Sequence, residues 1–579
     1  MLRAKKGHRQ KMNKRLKACL IAYPIEAVIA FAVYYLLLPP INWQSKAFWV
    51  FVAFIALLAV MPVCFFPSDG GERIINSIRS VNAALNGKKH ITKKTQTKVT
   101  ARQVIGGIVI AAPIVILIVG SIVSSTVFNA RAYAKVITVT ESDFSADMPE
   151  TDKVTNIALM DTDTATIIGS RTLGSLSEVV SQYELSEYYN QINFQRTPQK
   201  VSNLEYAGFF KWIGNRDRGI PGYVMVDPVN NTATYKVLEK PLRYVESAYL
   251  GDDLMRKLRF DYPTKIFGEA RYEVDDEGKP VFIVPCYKPQ VLMFGAEDIY
   301  QVIVFDPCDG SSELYSVKDT PAWLDGVYDG YLACEKYDWK GLLSGGFWNS
   351  IFGNKDCKQT TDDFGYVVIE DDVWYYTGVT SVNSDKSNIG FILSNARTGE
   401  YKFYPVIGAE EHSAMAAAEG EVQEKGYIAS FPALISVNGK ATYIMVLKDA
   451  GGLVKLYALV NVEKYSIVAT GETQQKAMEQ YTALLIEAGI LGSEAAKPDE
   501  SALTADITVT SVREVTVGGE SYIYISADYE DSYCLFKMAV SADEAVLLIR
   551  EGDTLTVTAS KTDTERIYLL TAWSFKASE

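Results

Sequence analysis

The chain has 579 residues, 48% of them hydrophobic, with 57 Lys and Arg against 70 Asp and Glu and a formal net charge of −13. That length excludes a single folded unit and calls for an assembly of domains. The charge is unevenly spread, with 17 basic and 3 acidic residues in 1–130 against 40 and 67 in the remainder, which excludes a basic nucleic-acid-binding surface beyond residue 130.

In chain order, three apolar runs come first, at 20–38, 48–66 and 104–123. The last holds twenty residues without a charge, about 30 Å of helix, which matches the hydrocarbon core of a bilayer. Pro113, Gly106, Gly107 and Gly120 are tolerated in a membrane helix, and Gly107 with Ala111 forms a small-residue pair suited to close helix approach. Trp43, Trp49 and Tyr34-Tyr35 suit the membrane interface, while Glu26 is an intramembrane acid near enough to the basic leader to snorkel. Eight Lys and Arg precede the first run, one (Lys46) separates the first from the second, and eight separate the second from the third. The positive-inside rule therefore predicts that 1–128 is a three-helix membrane anchor with a cytoplasmic N-terminus and that everything after it is extracytoplasmic. Two spans behind the first argue against a cleaved signal peptide. Residues 72–85, with Ile74, Ile75, Ile78, Val81 and Leu85 at helical spacing before the basic segment 88–94, read as an amphipathic helix on the anionic leaflet or as a topology determinant.

Residues 129–488 are expected to form an α+β repeat domain. Strand-like alternation at 136–139 and 156–160 gives way to a recurring order of helix, extended segments and hairpin. Hairpins are expected at 223–235, 300–315, 390–404 and 443–457, with Asp227, Asp306, Gly399 and Asp449 supplying the chemistry of a type I turn followed by a left-handed residue. Helices are expected at 176–192, 249–258, 323–328, 342–351, 410–424 and 472–488. A helix packed across a small antiparallel sheet is the unit this order predicts. Segment 489–501 reads as a linker, and 502–579 as five strands with a helix between the third and fourth, similar to an OB-fold barrel. With 6 basic and 13 acidic residues, that barrel is not expected to bind oligonucleotides.

Residues 273–285, which turn through Asp275-Asp276-Glu277-Gly278, and 302–310 after them resemble the PepSY family of small α+β modules; 437–451 is a second match. The resemblance covers about half of the outer domain and implies PepSY-like units, an envelope location and no particular activity.

The chemistry is sparse. The outer region has one histidine, His412, and no HExxH, GxSxG, SxxK, Walker or Rossmann pattern, so no metal and no cofactor is expected. Cys286, Cys308, Cys334, Cys357 and Cys534 match no zinc spacing and read as buried thiols, with Cys286–Cys308 or Cys334–Cys357 pairing as the alternative in an oxidising compartment. Asp161, Asp163 and Asp275–Glu277 read as turn and strand-end carboxylates, with Ca²⁺ ligation as the alternative. Asp362-Asp363 and Asp371-Asp372 read as hairpin ends flanking short strands, with glycosidase-like paired acids as the alternative. Three aromatic clusters offer more: Phe209, Phe210 and Trp212; Phe347 and Trp348; Trp374, Tyr375 and Tyr376. With Arg216 and Arg218 in the loop after the first, they are the candidate ligand-binding residues, core packing being the competing explanation.

The expected function is a non-enzymatic, membrane-anchored envelope protein that contacts lipid and binds a protein, peptide or wall component. A wall-glycan hydrolase and a modulator of a membrane peptidase are the alternatives.

Overall fold

The computed structural model describes residues 21–65, 101–151, 159–361, 363–369, 372–382, 384–491, 503–517, 520–529, 532–540, 544–561 and 566–576. Residues 156–158 of the expected strand at 156–160, the helix at 72–85 and most of the linker at 489–501 therefore fall outside the described residues, while 159–160 are not in a strand. The chain divides into two compact parts, Met1–Tyr481 and Thr482–Glu579.

Three apolar helices lead: α1 (Ile21–Leu37), α2 (Lys46–Phe65) and α3 (Ala101–Val123). By length and composition one of them, over Gln103–Val123, is sufficient to cross a membrane, and the apolar stretches of the other two are shorter. Of the expected three-helix anchor, the structure supports one candidate span, with two shorter apolar helices before it. The shortening is local: α1 ends where Leu38 takes a positive φ before Pro39-Pro40, and α2 starts only at Lys46 and holds Pro62. Large side chains of all three, among them Leu37, Val50 and Ile108, have no protein cover, a surface that water penalises by about 25 cal/mol per Å².

After the short helix α4 (Thr126–Tyr133) and strand β1 (Val139–Glu141), one topology occurs four times. The first module has helix α5 (Thr162–Gly174), strands β2 (Tyr183–Leu185), β3 (Asn190–Phe194) and β4 (Thr197–Tyr206), an inserted helix α6 (Phe209–Asn215), then β5 (Ile220–Asp227) and β6 (Thr232–Leu242). The second has α7 (Leu254–Asp261), β7 (Ile266–Phe267), β8 (Arg271–Val274), β9 (Pro280–Val291), β10 (Gly295–Phe305) and β11 (Ser312–Ser316). The third has α8 (Gly330–Leu343), β12 (Lys358–Thr360), β13 (Gly365–Ile369), β14 (Asp372–Ser381), β15 (Ser384–Asn395) and β16 (Tyr401–Tyr404), extended by β1 and by β17 (Gly408–Ala409). The fourth has α9 (Glu411–Glu421), β18 (Ile428–Ala429), β19 (Ala433–Val437), β20 (Lys440–Lys448), β21 (Val454–Asn461) and β22 (Val468–Gly471), followed by α10 (Gln474–Glu487). In every module the first two strands pair in turn with the third, and the third, fourth and fifth form an antiparallel meander.

The repetition is written in turn chemistry. Between fourth and fifth strands, the side chains of Asp227, Asp306, Asn395 and Asn461 each accept a backbone N–H two or three residues on, from Val229, Cys308, Arg397 and Lys464 respectively, at 2.8–2.9 Å. In the first three modules the residue four places on, Asn231, Gly310 or Gly399, has positive φ, the expected left-handed position. The hairpin expected at 443–457 joins the third and fourth strands instead. The fourth module's counterpart of the other three hairpins is the longer turn after Asn461, which lacks a glycine. Two-residue turns with both residues at positive φ, Gln195-Arg196 and Asn438-Gly439, join second and third strands.

Three helix expectations are corrected. Residues 176–192 form a single turn and then β2 and β3, because Tyr183, Tyr189 and Ile192 are buried by sheet packing; the module's helix is α5, capped by the Asp161 carboxylate on Thr164 N at 2.9 Å. Residues 323–328 are non-helical, and α8 begins after them at a cap from Asp329 to Leu332 N. Residues 342–351 hold the end of α8 and the start of a π-helical turn, Asn349–Gly353.

In the second part, β23 (Leu503–Val517), β24 (Glu520–Tyr529), β25 (Ser532–Ala539), β26 (Thr554–Lys561) and β27 (Ile567–Phe575) close a barrel in the order β23-β24-β25-β27-β26. Ile507, Ile525, Phe536 and Val557 fill it. A 3₁₀ turn, Glu544–Leu548, stands where a helix is expected between the third and fourth strands.

Candidate functional site

The end of α1 meets the second module through two arginines. A helix leaves its last four carbonyls without intrahelical donors, and α7 supplies them: Arg256 Nε donates to Tyr35 O at 3.2 Å and Arg259 Nε to Leu38 O at 2.8 Å. Guanidinium charge at a helix C-terminus also complements the helix dipole. Arg256 lies 4.3 Å from the Tyr35 ring centre, and Phe260 packs against Tyr34 and Tyr35. Arg259 is buried, which lowers its pKa to about 10. The α1–α2 loop continues the contact, with Ile41 N donating to Pro263 O and Asn42 Nδ2 to Thr264 O. The far end of α3 meets the same module. Ser124 Oγ accepts Met293 N and Phe294 N at 3.2 Å, Tyr133 Oη donates to Ser124 O at 2.8 Å, and a Cβ on Gly120 would fall 2.7 Å from the Phe294 ring. Gly107, by contrast, faces open space. A cavity of about 890 Å³ opens here, lined by Lys46, Ser124, Tyr287, Glu297, Glu335 and Trp339 among others. Burial raises the Glu297 pKa, an effect that Lys46 opposes.

The three aromatic clusters are not equivalent. Phe209, Phe210 and Trp212 lie on α6, inserted where the other modules have short turns. Trp212 is 1% exposed and Phe210 84% exposed. Arg216 stacks 5.1 Å from the Trp212 ring and reaches Asp252 at 3.8 Å, while Arg218 is exposed. Tyr249, next to Leu250, packs on Phe209 and Trp212, and Arg256 Nη1 donates to Leu250 O, which puts this cluster beside the end of α1. Phe347 packs with Tyr133, Ala134 and Trp339 just beyond α3. Its neighbour Trp348, 65% exposed, stacks at 5.8 Å on Phe352, 78% exposed. Trp374 and Tyr376 belong to the core shared by the third and fourth modules, and Tyr375 Oη donates to Tyr328 O. That removes Trp374 and Tyr376 from any ligand-accessible surface.

No protein-family model matches the chain, and no curated protein is significantly similar to it. The segments that resemble PepSY, which no family match supports, fall on the second-to-third-strand hairpins of modules two and four and on the strands and turns that follow them.

The acidic candidates are structural where described. Asp372 forms a bidentate pair with Arg397 at 2.8 Å and accepts Asn395 Nδ2; Asp362 and Asp371 lie outside the described residues. Asp161 caps α5 and pairs with Lys448, while Asp275 closes its own turn. Among the described residues no cluster of His, Cys, Asp and Glu forms a metal site. Cys286, Cys308, Cys334, Cys357 and Cys534 are free thiols, and His412 sits in the first turn of α9.

The sequence reading misses the buried ionisable groups between modules. Glu273 is almost fully buried beside Asp325, whose carboxylate accepts Asn193 N; burial and then Asp325 raise its pKa. Glu411 accepts Gly378 N at 2.6 Å and the Thr361 hydroxyl at 3.0 Å, and burial raises its pKa to about 7. Lys200, 4% exposed, projects from β4 opposite Gln191 of β3. Single charges inside a strand, as at Glu273 and Lys200, or at the start of a helix, as at Glu411, leave no periodic signal, so only the assembled modules reveal them.

Proposed function

We propose that the chain is a membrane-anchored, extracytoplasmic binding or scaffold protein of a bacterial envelope, non-enzymatic, held by α1, α2 and α3. Its PepSY-like modules sit on the membrane surface and its OB-like barrel makes protein or wall contacts. The observation that carries this reading is the capping of α1 by Arg256 and Arg259 of the second module, together with the seating of Ser124 on the same module. Contacts of the α1–α2 loop and of the chain after α3 with one module support a common side for both, the arrangement that three crossings with a cytoplasmic N-terminus would give. The exposed Phe210 and Trp348–Phe352 groups flank these helix ends, where aromatic rings partition to the lipid interface. The barrel order supports an OB-like fold: it closes first to fourth strand, with the third and fifth parallel. The excess of acidic over basic side chains beyond residue 130 favours basic or neutral partners over nucleic acid.

The test is labelling of intact cells with a membrane-impermeant thiol reagent, using a cysteine placed at exposed Tyr465. Labelling without permeabilisation is expected; labelling only after lysis would overturn the assignment of side.

A further inference from the structure

Where modules one, three and four meet, a chamber of about 250 Å³ is lined by Met160, Thr162, Lys200, Phe364, Tyr366 and Phe431 among others. A second of about 250 Å³ adjoins it through shared Gln191, Tyr366 and Ala433. Lys200 is its one deeply buried cation. Its ammonium lies 5.6 Å from the Tyr366 ring centre, and it makes no hydrogen bond or ion pair among the described residues. Desolvation lowers its pKa to about 8, against the attraction of Asp161. The N-terminus of α5, a helix of 13 residues, borders the same chamber at Thr162. Its first turn presents partial positive charge, of which the Asp161 carboxylate, itself in the chamber lining, takes Thr164 N at 2.9 Å. The neighbouring acids are otherwise engaged or exposed: Asp161 is paired with Lys448, Asp163 is exposed on the first turn, and Asp363 accepts Phe364 N at the rim.

A buried ammonium with no direct hydrogen bond or ion pair among the described residues, beside a helix N-terminus and between aromatic walls, is complementary to an anionic head on an apolar body. We propose that this chamber binds a small organic carboxylate with an aromatic or aliphatic body. The carboxylate would sit between Lys200 and the start of α5, and the body between Phe364, Tyr366 and Phe431. Free acids and the C-terminal residue of a peptide share this chemistry. The proposal does not depend on membrane sidedness, so either can fail without the other.

The test uses the full chain in detergent, with 3-phenylpropanoate, its amide, and a Gly-Gly-Phe peptide with a free or amidated C-terminus as probes. Acetylation of Lys200 by an N-hydroxysuccinimide ester at pH 8.5 is followed by mass spectrometry. At saturation, phenylpropanoate should slow Lys200 acetylation at least fivefold without slowing other lysines, and the amide should not. Protection by the free-acid peptide as well assigns a peptide end as ligand; protection by phenylpropanoate alone assigns a small free acid. Calorimetry should show at least tenfold weaker binding to Lys200→Met and several-fold weaker binding to Tyr366→Leu, a rim change that leaves the core intact. Equal protection by acid and amide, no protection, no acetylation of the empty chain, or unchanged affinity in Lys200→Met would each overturn the proposal.

Discussion

Phe209, Phe210 and Trp212 and the run Trp374–Tyr376 are both three-ring clusters in sequence, yet one crowns an inserted surface helix and the other buries Trp374 and Tyr376 in a core between two modules. The difference lies in position within the repeated module. Strand β14 is the third strand of its unit, paired with the first, second and fourth and packed against the neighbouring module, so Trp374 and Tyr376 become core. Helix α6 occupies a connection that the other modules close in a few residues, so its outer ring has nothing of its own chain to cover it. Composition alone does not distinguish binding aromatics from packing ones; place in the repeat does.

The comparison breaks most visibly at Tyr376, which is 0% exposed. Tyr376→Ala should cost about 3–5 kcal/mol, the range for large-to-small changes in a packed core, read as a fall in the denaturation midpoint; a loss below about 1 kcal/mol would place the ring outside the core. Two residues along the same strand, Gly378 N holds the Glu411 carboxyl. Burial raises that group from 4.5 to about 7. Between those pH values the folded chain keeps a proton that the unfolded chain has released, so stability falls as pH rises through this window and is level above it. Glu411→Gln should flatten the dependence, by at most about 3 kcal/mol, in melting curves from pH 4.5 to 7.5. On the surface, Asp227→Ala removes the side-chain acceptor of Val229 N and Asn230 N and should cost about 1 kcal/mol. Phe210→Ala and Trp348→Ala should change stability by less than about 0.5 kcal/mol while reducing photocrosslinking to lipid, the reverse of the pattern at Tyr376.

Much of the repeat was legible because turns carry local chemistry. Asp227, Asp306 and Gly399 announce their hairpins, and Ala414 and Ala418 mark a helix that approaches its sheet closely. Asn461 was missed because its turn lacks a left-handed glycine, which shifted the fourth hairpin by one strand. Helix α5 was missed because Thr, Ser and Gly dilute its apolar face, and α8 because Lys336 occupies a buried position, paired with Asp298 at 2.7 Å. The Lys200 chamber draws its walls from three modules far apart in sequence, and no local pattern encodes that meeting.

The central claim is that the second module seats on the ends of the apolar helices. Asn42 and Thr264, joined by a hydrogen bond of 3.0 Å, give the most direct measurement. In the membrane-embedded chain, the double variant Asn42→Cys, Thr264→Cys should form a disulfide in high yield under mild oxidation. Two freely labelled thiols that do not cross-link would contradict it.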